Sequence, residues 1–181
     1  KKKTSIGNEI KLPLEQGTLV PDLLINNLLE KVVSNKIYSN RLIFDGYPRN
    51  LNQVKDLESL IKKHDQNISC ILSLNVDLNT IVKRILGRKV CSKCDLTFND
   101  FFNPATPKNH NCDSKFLQKR SDDNEDTIKS RFATYEKETL PILNYYRDQK
   151  ILHQIDGMKE INQIYAQIRG IIDSIEAWLS N

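Results

Sequence analysis

No Gly-x-x-x-x-Gly-Lys-Ser/Thr run occurs in this chain, so the usual loop for cradling nucleotide phosphates is absent from the sequence as given. Long apolar runs are missing too. None of the 181 residues belongs to a stretch long enough to cross a membrane as a helix. No charged-then-apolar leader precedes the first motif, and a cytoplasmic location is the expectation. Charge of one sign is not in excess: 27 Lys/Arg against 23 Asp/Glu leave only +4, too little to argue for nucleic acid, and a membrane is not an expected partner either. Cysteine is scarce at four residues, yet three of them, Cys91, Cys94 and Cys112, fall in one short stretch.

What is present describes a globular chain with 39% hydrophobic and 28% charged residues, long enough for one main core and a small insert. Its basic residues are unevenly placed. Between Arg84 and Arg120 eight Lys/Arg stand against three Asp, a local surplus that suits a polyanionic ligand.

Helical and extended segments alternate. Ile6, Ile10 and Leu14 recur at helical spacing until Gly17, and Pro21-Asp22 opens a helix running through Val33. Leu42 to Phe44 reads as a strand, Asn50 to Lys63 as the next helix, Ile68 to Leu74 as a second strand and Leu78 to Leu86 as a helix. Asp123 is placed to cap a helix from about Asn124 to Arg147, which Pro141 should bend or interrupt. Ile151 to Ile155 is a third strand, and Ile161 to Leu179 a closing helix. Strands separated by helices imply an α/β, three-layer fold with a mostly parallel central sheet, which binds ligands at the carboxyl ends of its strands.

Asp45 lies at such an end. In Phe44-Asp45-Gly46-Tyr47-Pro48-Arg49 an apolar segment delivers an acid, a glycine and an arginine to one loop. A carboxylate there can hold a hydrated metal ion, glycine lets backbone approach a ligand, proline fixes the turn, and arginine can grip a phosphate with two parallel hydrogen bonds. Gln53, four residues beyond Arg49, shares its helical face and can read a base edge.

The insert from about Gly87 to Ser121 breaks the rhythm. It holds Cys91-Ser92-Lys93-Cys94 and then His110-Asn111-Cys112, the spacing of a small zinc ribbon, in which an ion replaces the core so short a segment cannot build. Three ligands are plain. His110 is the best fourth candidate and Asp113 the fallback. A redox pair or unrelated surface thiols are the alternatives; a redox Cys-x-x-Cys normally opens a helix, whereas this one enters an irregular loop. Cys70, inside an apolar strand, reads as a core residue.

Arginines bracket the insert. Arg84 and Arg88 crowd like charges onto one face unless an anion or acid intervenes, Arg120 closes the insert, and Arg131 follows on the next helix. Each one alone is best read as solvated or paired with Asp122, Asp123 or Glu125. Four converging on one flap would instead bring positive charge to a phosphoryl group and expel water as the flap closes.

Taken in order, Gln16-Gly17-Thr18-Leu19-Val20-Pro21-Asp22, Phe44-Asp45-Gly46-Tyr47-Pro48-Arg49 with Gln53, Lys83-Arg84-Ile85-Leu86-Gly87-Arg88, the cysteine-bearing insert and Arg120-Ser121-Asp122-Asp123-Asn124 through Arg131 resemble the adenylate kinases of the bacterial, long-lid type. The resemblance implies reversible phosphoryl transfer from ATP to AMP, giving two ADP, with Mg2+ accompanying ATP and structural Zn2+ in the lid. It implies an AMP-binding segment over residues 1–28, a core over 29–86, a lid over 87–121 and a further core segment over 122–181. Leu19, Val20, Ile25, Gly46 and Gln53 would line the AMP adenine site and Arg49 would hold its phosphate. Arg84 and Arg88 would lie near ATP, Arg120 and Arg131 would close on the transferring phosphates and contact AMP, Asp45 would orient magnesium through water, and Gly157 would pack near the ATP adenine. A monomer is implied.

The missing phosphate loop is the departure. The family places it, with a central strand, ahead of the segment in which Lys1-Lys2-Lys3-Thr4 falls. Without those amides and that lysine the sequence as given is expected to catalyse inefficiently, and a lost central strand would expose sheet edges. The alternatives are a non-catalytic nucleotide-binding or zinc-ribbon interaction module, or a kinase for another nucleoside monophosphate.

Overall fold

The computed structural model describes residues 20–179, with side chains through residue 177. The helix expected around Ile6 to Leu14 and the predicted adenine-site residue Leu19 lie outside the described residues. The chain divides into two compact units, one containing Asp77–Ala133 and the other Pro21–Val76 with Thr134–Asn181.

In the larger unit, helix α1 (Asp22–Val33) starts at Pro21, and a 3-10 turn follows at Lys36–Tyr38. Helix α2 (Leu51–Lys63) is capped by Asn50, whose Oδ1 accepts from Gln53 N at 2.8 Å. Strand β1 (Ile71–Asn75) pairs in parallel with β5 (Leu152–Asp156), Ile71 opposite Leu152 through Asn75 opposite Asp156. Leu140–Asp148 forms α5, and Ile161–Leu179 forms α6, which packs against β5.

Two apolar clusters hold this unit. Val33, Leu57 and Ile61 gather Leu42, Phe44, Tyr47 and Ile68 around them, while Val54, Ile142 and Tyr146 pack on Ile71, Ile151 and Leu152. The repeat of Val54, Leu57 and Ile61 along α2 puts one apolar stripe against both clusters. Full burial of each such side chain stabilises by at most about 1.5–3 kcal/mol.

The smaller unit begins with α3 (Leu78–Leu86), capped by Asp77, whose Oδ1 accepts from Thr80 N at 2.9 Å. Strands β2 (Arg88–Cys91), β3 (Thr97–Asn99) and β4 (Leu117–Gln118) form an antiparallel sheet in the order β3-β2-β4. Helix α4 (Glu125–Thr134) runs on through a π-helical turn at Tyr135–Thr139, in the other unit, to α5.

Four expectations are corrected. Leu42–Phe44 forms no strand, because among the described residues the parallel sheet offers it no ladder partner; Leu42 and Phe44 pack inward while Ile43 is 92% exposed. The insert is not irregular, since its antiparallel sheet is merely built from strands of two to four residues. Asn124 rather than Asp123 caps α4, accepting from Thr127 N at 2.9 Å, because Asp123 is committed to Arg88. Arg84 and Arg88 share no helical face, because α3 ends at Leu86 and Arg88 opens β2. Pro141 does interrupt the long helix, sitting in the first turn of α5.

Candidate functional site

The Asp45–Gln53 loop of the larger unit is held from several sides. Gly46 adopts φ +71°, a conformation side chains disfavour, and a Cβ there would lie 2.9 Å from Arg49 Nη2. This close approach folds the arginine back, so that its Nε donates to Gly46 O at 2.6 Å. Arg49 N donates to Gln53 Oε1 at 2.7 Å, and Arg49 O accepts from Thr139 Oγ1 at 2.8 Å. The backbone of Arg49 is thus fixed at both its amide and its carbonyl, while the guanidinium is exposed. Asp45 is also exposed, and Val20 and Ile25 are half-buried.

Gln53 is more deeply placed than its sequence position suggests. It is 1% exposed, and its Nε2 donates to Asp22 Oδ1 at 2.7 Å. With Asn50 capping at one end and Gln53 reaching back at the other, the pair makes a variant of the capping box, the glutamine taking Arg49 N. Asp22 was missed by sequence reasoning; an acid in a first helical turn ordinarily signals only helix polarity. Tyr47 joins the same assembly, its hydroxyl donating toward Asn26 Oδ1 at 3.2 Å. Burial, with Asp56 and Asp22 nearby, pushes the Tyr47 phenol up to about 12, so it stays a donor. Gly157, after β5, is buried where a Cβ would meet Val76 Cγ2 at 2.5 Å, and its N donates to Asn75 O at 2.9 Å. Close approach of the chain at the end of β1 is a local reason for glycine there.

In the smaller unit three of the four arginines are paired with Asp122 or Asp123, as the reading of each one alone expects. Arg88 embraces Asp123 through Nε, at 2.9 Å, and Nη2. Arg120 grips Asp122 through Nε at 3.0 Å and Nη2 at 2.9 Å, and Arg131 Nη2 adds a third hydrogen bond to Asp122 Oδ2. Two guanidinium groups therefore converge on one anionic oxygen. Burial alone would raise the Asp122 carboxyl, but the two arginines outweigh it and hold the group below the ordinary carboxylate range. Arg84 places its guanidinium 5.6 Å from the centre of the Phe102 ring.

The cysteines meet as the spacing predicts. Cys91 Sγ, Cys94 Sγ, Cys112 Sγ and a His110 ring nitrogen all lie within 4.8 Å of one another. A tetrahedral zinc ion with bonds of about 2.0–2.3 Å needs ligand separations of roughly 3.3–3.8 Å, so closure is a matter of about an ångström. Among the described residues the buried His110 Nε2 has no hydrogen-bond partner, which a metal bond would supply. The thiols are also unequal. At Cys91 burial opposes ionisation, yet His110 and the backbone N–H groups of Cys94 and Lys93 prevail and lower the thiol to about 6. Burial, followed by the flanking thiols Cys94 and Cys91, pushes Cys112 up to about 11. Such a set cannot ionise together without a cation, and ligation would resolve that conflict. Asp113, the fallback ligand, instead caps the 3-10 turn Ser114–Phe116 through Lys115 N at 2.9 Å.

The model of the family described as adenylate kinase matches residues 1–151. The chain belongs to the adenylate kinase family. A curated adenylate kinase of Pelagibacter ubique strain HTCC1062 is 40% identical over 172 residues, covering 95% of this chain and 81% of its own length. Those of Enterococcus faecalis strain V583 and Clostridium acetobutylicum are 30% and 33% identical over 175 residues, each covering 96% of this chain and 81% of the relative. The parallel sheet flanked by helices is that of an α/β nucleoside monophosphate kinase. Among the described residues no helix is long and apolar enough to cross a membrane.

Proposed function

We propose that the chain catalyses reversible transfer of the terminal phosphoryl group of ATP to AMP, forming two ADP. An AMP phosphate oxygen attacks the γ-phosphorus as the bond to the bridging β,γ-oxygen breaks, so the reaction needs positioning and charge and no covalent enzyme intermediate. The observation that carries this reading is the convergence of Arg120 and Arg131 on Asp122 Oδ2. Two guanidiniums that meet at a single carboxylate oxygen are spaced to meet at a phosphoryl oxygen carrying transition-state charge. Arg84 and Arg88 act toward ATP, whose adenine packs near Gly157, and Asp45 orients the magnesium that enters with ATP. Val20, Ile25, Gly46 and Gln53 line the AMP adenine site together with Leu19, and Arg49 takes the AMP phosphate, with Arg120 and Arg131 reaching it as well.

We assign residues 87–121 to a lid that closes over the reacting phosphates, residues 1–28 to the AMP-binding segment, and residues 29–86 and 122–181 to the core. Zinc held by Cys91, Cys94, His110 and Cys112 supplies that lid with the stability its few buried residues cannot. We place the protein in the cytoplasm as a monomer.

Calorimetry with AMP tests the assignment of the phosphate site. Arg49→Ala should weaken AMP binding by about 10- to 100-fold, the worth of a charge-assisted pair, and leave ATP binding within a factor of two. Equal AMP affinity in the variant would remove Arg49 from the site.

A further inference from the structure

The Gln53 amide is held by two partners of fixed polarity. Its Nε2 donates to Asp22 Oδ1 and its Oε1 accepts from Arg49 N, each at 2.7 Å. A carboxylate oxygen only accepts and a backbone N–H only donates, so these partners admit one orientation of the amide. Turning it over would set the amide oxygen against the Asp22 carboxylate and the amide hydrogens against Arg49 N–H. Both bonds would become repulsions, because neither partner can exchange its role as acceptor or donor.

We propose that Asp22 is a specificity-determining positioning residue, which holds the Gln53 amide in the orientation that matches adenine and mismatches guanine. This rests on the reading of Gln53 as the residue that meets the base of the monophosphate. The two bonds above leave one Nε2 hydrogen and one Oε1 lone pair of the amide for a ligand. On the pairing edge of adenine an acceptor, N1, stands beside a donor, the 6-amino group; in guanine the order is reversed, a donor N1–H beside the acceptor O6. With Nε2 facing N1 and Oε1 facing the 6-amino group, adenine is satisfied at both atoms. Guanine would meet donor with donor and acceptor with acceptor. An unrestrained glutamine escapes this by rotating half a turn, and so accepts either purine. Asp22, set in the first turn of α1, adds to the Arg49 N–H a second bond that opposes this rotation, without touching the base.

The test compares dissociation constants for AMP and GMP, measured by calorimetry on the full-length protein, in wild type, Asp22→Asn and Gln53→Ala. Asparagine keeps the shape of aspartate but can accept or donate, which leaves Arg49 N–H as the sole fixed partner. Wild type should prefer AMP, and Asp22→Asn should narrow the AMP-over-GMP ratio by threefold or more, with GMP affinity rising. A merely structural role would weaken both nucleotides together. A ratio within threefold of wild type in Asp22→Asn, alongside a narrowed ratio in Gln53→Ala, would overturn the role of Asp22 alone. An unchanged ratio in Gln53→Ala would show that glutamine never meets the base and would overturn the reading beneath it. Should Asp22→Asn not fold, Asp22→Ser carries the same prediction, because a hydroxyl also accepts or donates.

Discussion

Replacement of Cys94 by serine should weaken zinc binding by the smaller unit and cost that unit most of its stability. Cys94 is the informative position because it is exposed, so a serine there disturbs little packing, whereas Cys91 is fully buried. Among the described residues the buried apolar side chains of this unit are few: Cys91 and Phe98 in the ribbon and Ile128 on α4. Phe98 packs edge-on against His110 at 4.8 Å between ring centres, so even this aromatic is placed by a candidate ligand. Burying such a ring stabilises by at most about 3 kcal/mol, while a structural zinc site contributes about 10–16 kcal/mol of apparent binding energy at neutral pH. Loss of one ligand in four, taken in proportion, costs about 3 kcal/mol or more, a weakening of zinc binding of at least about 100-fold. Elemental analysis of the purified wild type should find about one zinc per chain, and competition with a chromogenic chelator should give the affinity of each variant. Proteolysis between Val90 and Lys119 should accelerate in Cys94→Ser and in chelator-treated wild type alike. Wild type without zinc, or Cys94→Ser holding it as tightly as wild type, would refute the metal assignment.

Two further outcomes follow from the same geometry. Gly46→Ala should destabilise by about 1–3 kcal/mol because of its φ of +71°, and should weaken AMP binding because the new Cβ displaces the Arg49 guanidinium; thermal melting and calorimetry read the two effects separately. The Asp122 ion pairs should fail in acid: a carboxyl held below its ordinary value stabilises fully above the unfolded pKa, near 4, and loses that contribution as pH falls through the lower folded value. Asp122→Asn should therefore melt earlier than wild type at pH 7, and the gap should close as the pH is taken well below about 4. A gap that persists unchanged in acid would argue against ionic stabilisation at this residue.

Where the sequence was legible, a strong local period met no tertiary competition. Leu78–Leu86 and Ile161–Leu179 have the bounds their apolar repeats and flanking signals predict, and the Cys-x-x-Cys spacing located a four-residue cluster, histidine included. Legibility failed where structure depends on partners distant in the chain. Leu42–Phe44 has the composition of a strand, but a strand is a property of a pair, and composition cannot supply the ladder. The strands of the insert are too short for any two-residue period to register. Gln53 reads as a base contact from its distance to Arg49, and the pattern Asn50-x-x-Gln53 also carries the capping signal that the structure shows. Asp22 lies 31 residues from the glutamine it orients, and nothing local connects them.

The most direct test of the account is the formation of ADP from ATP and AMP with magnesium, followed by phosphorus NMR on the full-length protein. Two ADP should appear for each ATP and AMP consumed, and Arg131→Ala, which removes one of the two guanidiniums from the Asp122 oxygen, should slow turnover by at least about 100-fold, the usual cost of losing one preorganised transition-state donor. An Arg131→Ala protein that turns over at the wild-type rate, or a wild type that binds both nucleotides and forms no ADP, would contradict it.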